Sequence, residues 1–461
     1  MAAEQQADAQ DRVVVVGGGL AGVAAALRCA DLGRPVTLLE GRPRLGGMAF
    51  SFRRDQLSVD NGQHVFLRCC AAYRWFLDRV DATARTTLQD RLDIHVLRSD
   101  GKSARLQRTA GVPAPAHLTA ALARYGLLSP QDRLRAARGA LALRLLDPSD
   151  AALDVRTLGE FLRGQGQSRA IVDALWGVLS TATLNIDPDQ ASLALAAKVF
   201  RTGVLDHASS GDIGYALAPL GELHSTAARR ALADSGVDVR LGHRVESVTP
   251  EGRVVVRHRD TTSTVTASAV VVAVPPRDAC RLVPELTGTP AGRARELGTS
   301  PIVNVHVVYD RKVTDLPFAA AVDSPVQWFF DRTRTSGLDR VRAGAQYLAI
   351  TVSAAEGIID TPSAQLRDRY VTELARLLPP ARRAEVVDAF VTRERHATFR
   401  QAAGTAALRP GARSGVDGVF LAGAWTDTGW PDTMEGAVRS GVTAAEAVLD
   451  LPAQETMRFE A

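Results

Sequence analysis

The run Val13-Val14-Val15-Val16, followed at once by Gly17-Gly18-Gly19-Leu20-Ala21-Gly22, leaves this chain few ways to begin folding. Four consecutive β-branched residues suit a strand buried on both faces of a parallel sheet. Glycines at 17, 19 and 22 stand at the three positions of a dinucleotide fingerprint. Gly17 allows the tight turn, Gly19 lets the backbone approach a pyrophosphate, and Gly22 lets helix and strand pack closely. Leu20 and Ala21 open an alanine-rich helix, about 21–32, that Gly33 ends. The positive N-terminus of that helix is where phosphates sit. Pro35-Val36-Thr37-Leu38-Leu39 reads as the second strand, and Glu40 closes it eighteen residues after Gly22. A carboxylate there accepts hydrogen bonds from a ribose 2′-hydroxyl and repels a 2′-phosphate, which argues against NADP.

A chain of 461 residues exceeds one core and fits two interleaved domains. The net charge of +4, carried almost wholly by arginine, with lysine only at 102, 198 and 312, gives no footprint for nucleic acid. Cys29, Cys69, Cys70 and Cys280 form neither a CxxC pair nor a ligand spacing with histidine, so no metal site is expected. Residues 1–12 lack the apolar stretch of a signal peptide, and no span of membrane length occurs. The expectation is a reduced, cytoplasmic setting, with a peripheral position at the inner face of the cell membrane as an option developed below.

The segment after Glu40 narrows the cofactor. Arg42-Pro43-Arg44-Leu45-Gly46-Gly47 resembles the ExRxxxGG continuation of the amine oxidase and phytoene desaturase superfamily of flavoproteins. The resemblance implies an α/β fold: a Rossmann-like FAD-binding domain with an inserted α+β substrate domain. It implies non-covalent FAD beside Glu40, Gly41, Arg42, Gly46 and Gly47, with Met48 where relatives often carry arginine. Downstream, the strand Gly236–Leu241 is followed by His243-Arg244-Val245, with Val245 where the family's backbone meets adenine, and by an apolar strand over 269–274. Near the end, Gly418-Val419-Phe420-Leu421-Ala422-Gly423 is a buried strand ending in glycine. Thr433-Met434-Glu435-Gly436-Ala437 then opens the last helix. In the superfamily its N–H groups point at the flavin pyrimidine ring, implying contacts from Gly423, Thr433, Met434, Glu435 and Ala437. Ala424 stands where relatives usually have an acid. The expected FAD domain is 11–90, 220–290 and 406–450; the substrate domain with a helical lid is 91–219 and 291–405; 1–10 and 451–461 are expected to be flexible.

Within the substrate domain, 118–146 reads as two helices, the second started by Ser129-Pro130-Gln131-Asp132. Leu118, Ala121, Leu122 and Tyr125 make one apolar stripe, and Leu134, Ala137, Leu141 and Leu145 another. Arg124, Arg133, Arg135, Arg138 and Arg144 accompany them. The pair is either a lid packed on its own core or a basic amphipathic surface suited to anionic membrane. Strands are expected over 301–309 and 346–352, an apolar wall at 326–330, and a helix over 366–378.

A narrower resemblance lies in Asp60-Asn61-Gly62-Gln63-His64, in Trp176 with Ala182-Thr183-Leu184-Asn185, and in Trp425-Thr426-Asp427-Thr428-Gly429. Together they look like the hydroxysqualene dehydroxylase family of bacterial hopanoid pathways. The resemblance implies reductive removal of an allylic hydroxyl from hydroxysqualene to give squalene, with an electron donor that the sequence does not identify. Such chemistry needs an apolar tunnel and one proton donor. His64 is the first candidate for general acid. Asn61 is a candidate to bond the leaving oxygen or the flavin edge, and Asp60 and Asp427 are further donors or anchors; Asp432 joins them after Trp430-Pro431. Trp425 and Trp430 are candidate cavity walls. Competing readings are a carotenoid-type desaturase, an amine or porphyrinogen oxidase, and a prenyl-binding carrier on the same fold. The scarcity of lysine weighs against the oxidase, and the intact Thr433–Ala437 segment against the carrier.

Overall fold

The β-branched run lies at the centre of a five-stranded parallel sheet in the computed structural model, which describes residues 11–460. The order is Asp238–Leu241, Val36–Glu40, Val13–Val16, Ala269–Val272, Val419–Leu421. Val13 to Val16 are essentially inaccessible, as a strand covered on both faces requires. The helix Leu20–Asp31 crosses from the first strand to the second and packs along the last helix, Met434–Val448. Gly441 makes that approach possible: a β-carbon there would stand 2.1 Å from the Ala21 carbonyl oxygen. Arg28 closes the far end through an ion pair with Glu446 at 2.8 Å.

A second, seven-stranded mixed sheet carries the other half of the molecule. Its strands run Val386–Phe399, Thr299–Tyr309, Gln346–Val352, Trp328–Asp331, Phe318–Val322, Asp93–Arg98, Ser103–Gln107. Residues from both insertions therefore share one sheet: Phe318–Val322 pairs in parallel with Asp93–Arg98. The helix Ser363–Leu377 covers one face through Leu366, Tyr370 and Leu374. The other face meets the helical stretch 119–205 in a separate core around Trp176, Phe200 and Leu184. A small sheet joins the halves: Ile213–Ala216 pairs with Val65–Leu67 on one side and Thr86–Leu88 on the other.

Three expectations are corrected. The first helix of 118–146 is a single short turn segment, Thr119–Ala123, because Gly126 and the following loop interrupt it. The second, Pro130–Arg144, is capped by Ser129 as expected, but it buries Ala136, Gly139 and Leu143, and its stripe of Leu134, Leu141 and Leu145 faces solvent. The tail 451–460 is not loose. Phe459 packs on Trp75 with ring centroids 5.8 Å apart, its carbonyl accepts from Arg439, and the Met457 N–H donates to Glu446 at 2.8 Å. The expectations for residues 1–10 and 461 lie outside the described residues. Among the described residues no helix is long and apolar enough to cross a membrane.

Candidate active site

The three fingerprint glycines differ in what surrounds them. Gly17 has φ 107° and a β-carbon there would meet the Ala273 carbonyl at 2.4 Å; one at Gly22 would meet the Gly17 carbonyl at 1.9 Å. Both are demanded by the protein's own packing. Gly19 is different. Its nearest neighbour would be the Gly47 α-carbon at 3.7 Å, so the space above it is open. Gly19 also precedes the helix without capping it by a side chain, and no acid lies in the first turn. The N–H groups of Leu20, Ala21 and Gly22 face that space as an anion site. The double glycine forms its far wall: a β-carbon on Gly47 would lie 2.8 Å from the Gly19 α-carbon.

Glu40 edges the cradle. Its carboxylate accepts from the Gly18 and Arg42 N–H groups, each at 2.7 Å. Each oxygen keeps a lone pair for a ribose hydroxyl. Arg42 and Arg44 reach back to the Gly47 carbonyl at 3.3 and 3.2 Å, and Arg44 lies over the Phe50 ring. Residues 242 and 243 strap this corner through bonds to the carbonyls of Arg42 and Glu40, Gly41 packs beside Arg244, and Val245 is buried next to them. Met48 is exposed on the rim. These groups fit a dinucleotide lying from the helix N-terminus to the Val245 corner.

At the other end, the Gly423 N–H donates to Ser440 at 2.8 Å, and Thr433 caps the last helix by accepting from Gly436. The N–H groups of Met434 and Glu435 open beyond that cap. The Glu435 side chain turns the other way. It is buried, accepts from the N–H groups of Ala72 and Tyr73, and pairs with Arg439 at 2.6 Å. Its contribution to a cofactor is therefore backbone only.

The Asp60–His64 segment separates into anchors and one free ring. Asp60 is buried and fully engaged by Ser51 Oγ at 2.6 Å, the Leu220 N–H at 3.0 Å and an ion pair with Arg332. Asn61 accepts from the Phe50 N–H and donates to the Met48 carbonyl and Glu394. Neither retains the freedom a proton donor or an oxygen-binding amide needs: Asp60 takes the anchor role of the two expected for it, and Asn61 is corrected to an anchor. Asp427 is exposed at a loop tip and accepts from the Gly429 N–H, so it shapes the turn and does not face inward. His64 is half-buried, and neither ring nitrogen has a hydrogen-bond partner among the described residues. Burial, then the nearby Arg332 charge, lowers its pKa to about 4, so the ring is neutral at pH 7. Gln63 Nε2 beside it is buried without a partner.

Asp432 keeps more acidity in reserve. One carboxylate oxygen accepts from the Phe399 N–H at 2.7 Å, and its own N–H donates to Gln401. Burial raises its pKa to about 6, opposed by that hydrogen bond and by the Arg409 charge. It immediately precedes the Thr433 cap. Arg409 and Arg332 were invisible to motif reading. Arg409 is buried and donates to the carbonyls of Ala424, Thr426 and Trp430, holding the loop after Gly423 in shape. Trp425 is core rather than cavity wall, donating to the Val274 carbonyl at 3.0 Å; Trp430 is clamped between Lys198 and Arg439, each 4.9 Å from its ring.

Across the small sheet from Val65 the aromatic residues pack into one row, with Phe318 and Phe330 buried. Val65 lies opposite Tyr215 in the small sheet. The Tyr215 ring meets Phe318 at 5.8 Å, Phe318 meets Phe330 at 5.9 Å, and Phe330 meets Trp328 at 6.3 Å. Trp328 borders a cleft of about 400 Å³ with Val178, Thr181 and Ala182.

A family model described as flavin containing amine oxidoreductase matches residues 20–449, which spans both halves just described. The chain belongs to that family. It is an FAD-dependent oxidoreductase. It is 30% identical over 449 residues to a hydroxysqualene dehydroxylase of Rhodopseudomonas palustris, covering 95% of this chain and 98% of the relative. A hydroxysqualene dehydroxylase of Sinorhizobium fredii is 27% identical with the same coverage. A zeta-carotene desaturase of Arabidopsis thaliana is 24% identical, covering 95% of this chain and 85% of the relative. Among solved structures, a putative protoporphyrinogen oxidase from Exiguobacterium shares the fold at a TM-score of 0.68 and 18% identity, over 96% of this chain and 99% of that one.

The ion pair under the site yields a stability prediction. Replacing Arg332 by methionine leaves Asp60 buried and uncompensated, which costs about 3–5 kcal/mol. Urea unfolding at neutral pH measures it; a loss under about 1 kcal/mol would mean the pair holds nothing together. The same variant should raise the His64 pKa, readable by NMR, since Arg332 depresses it.

Proposed function

We propose that this flavoprotein reductively dehydroxylates hydroxysqualene to squalene, with FAD held non-covalently. The observation that carries the reading is the aromatic row from Tyr215, paired with Val65, to Trp328, which walls the cleft beside Val178. A long hydrocarbon fits such a wall, and ring faces favour a developing allylic cation. Relatives of that name at 30% and 27% identity support it. Reduced FAD, when bound, supplies a hydride from N5 to the allylic carbon. The carbon–oxygen bond breaks with one proton added, so alcohol, hydride and proton give hydrocarbon and water.

The chain's own residues handle that proton. Asp432, with its pKa near 6, is the proposed donor to the leaving oxygen. His64, neutral with unpartnered nitrogens, is the proposed hydrogen-bond partner that orients the oxygen. Each turnover consumes two electrons, so a separate reductant is part of the proposal. The substrate partitions into lipid, and the protein would meet it at a membrane surface.

The test is an anaerobic incubation of purified protein, dithionite-reduced FAD and hydroxysqualene, assayed for squalene. Squalene should form with reduced flavin only. No squalene, with desaturation of a carotenoid precursor under oxidised flavin, would transfer the protein to the desaturase reading, which the zeta-carotene desaturase relative keeps in view.

A further inference from the structure

The helix Pro130–Arg144 carries an unusual outer face. Leu134 is 75% exposed, Leu141 54% and Leu145, its C-cap, 86%. With Arg138 they fall at spacings of four, three and four residues, which at 3.6 residues per turn is one stripe. The opposite face is tightly held: a β-carbon on Gly139 would stand 2.8 Å from Gln167 Nε2. The leucines cannot rotate inward without losing that packing.

The charges beside the stripe are mainly arginine, two of them paired with aspartate. Arg138 lies within it and has no ion pair among the described residues. Arg135 and Arg144 flank it, held to Asp132 at 3.1 Å and Asp206 at 3.7 Å. Arg124, in the segment just before the helix, is exposed. Arg133 is turned back onto the carbonyls of Ala123, Tyr125 and Leu128 and is not available. The exposed acids Asp147 and Asp150 lie past the helix end, where they accept from the N–H groups of Ser149 and Ala152.

We propose that this face docks on an anionic lipid bilayer, with Leu134, Leu141 and Leu145 in the headgroup–acyl boundary and the arginines on lipid phosphates. Leucines between outward arginines suit that boundary, where apolar side chains enter and guanidinium groups reach phosphate. A second copy of the same face would oppose arginine to arginine, which disfavours self-association. The proposal rests on the surface alone; a lipid-borne substrate gives it a purpose, and the test uses no substrate.

FAD-loaded protein is floated with phosphatidylcholine vesicles, with and without phosphatidylglycerol. It should float with the anionic vesicles and be released by high salt, because contacts to lipid charge are screened. Leu134→Ser/Leu141→Ser/Leu145→Ser should cut binding about tenfold or more, since it removes the buried apolar area. These residues are exposed, so the triple variant should keep its melting temperature and flavin spectrum. Flotation of the variant equal to wild type would overturn the proposal. So would a concentration-dependent dimer in ultracentrifugation that the variant abolishes, since the face would then belong to a second copy.

Discussion

Gly19→Val should give a folded protein without flavin. The variant adds a side chain where the protein itself has room, with the nearest neighbour of a new β-carbon at 3.7 Å. That room is the anion site at the helix N-terminus, so valine takes the volume a pyrophosphate needs. Circular dichroism should match wild type while the yellow absorbance is lost. Gly22→Val is the contrast: its β-carbon meets a carbonyl oxygen at 1.9 Å, so it should fail to fold rather than merely lose cofactor. Full FAD occupancy in the Gly19 variant would show that the cofactor lies elsewhere.

The second large effect concerns the proton. Where protonation limits the rate, Asp432→Asn should lower turnover of bound substrate by about 10²–10⁴-fold, the usual worth of a general acid. The pH profile separates the two candidates. An acid works only in its protonated form, so turnover falls as pH rises through its pKa. With Asp432 as donor the fall is centred near 6 and vanishes in Asp432→Asn. With His64 as donor it would lie near 4 and vanish in His64→Ala. A limb near 4 tied to His64 would reverse the two assignments. Both variants should retain flavin absorbance, since neither side chain belongs to the cradle.

The parts of this fold legible in the sequence were those with local causes. The Val13–Val16 strand, the glycine turn and Glu40 follow one another within thirty residues, and each follows from backbone geometry or burial. The Val386–Phe399 strand was not legible. Its centre, Thr392-Arg393-Glu394-Arg395-His396, is polar because much of that strand is half-exposed, so neither alternation nor an apolar run marks it. The Asp93–Gln107 hairpin is masked in the same way by Arg98, Asp100, Lys102 and Arg105.

The candidate site divides similarly. The Asp60–His64 motif could be found but its roles could not be assigned, because they depend on distant partners. Asp60 is fixed by an arginine 272 residues away, and that arginine also sets the charge felt by His64. Asn61 is occupied by Glu394, 333 residues on. Asp432 owes its raised pKa to burial, against the Phe399 N–H and the Arg409 charge, and no local pattern reports that balance. The helix Pro130–Arg144 is a third case. Its leucine stripe was visible, but which way it faced was settled by Gly139 resting on Gln167.

The pairing of the first helix with the last has a consequence for biosynthesis. Leu20–Asp31 is synthesised about 400 residues before Met434–Val448, the surface it packs on. The edge strand Val419–Leu421 arrives equally late. Until then the nascent chain carries an apolar alanine-rich helix with no partner, a species prone to association. The flavin corner at Gly423–Ala437 cannot exist before that stretch has been made. FAD should therefore be captured only once residues 423–437 have emerged, and a supply of it at that moment would favour the folded chain over aggregates by mass action.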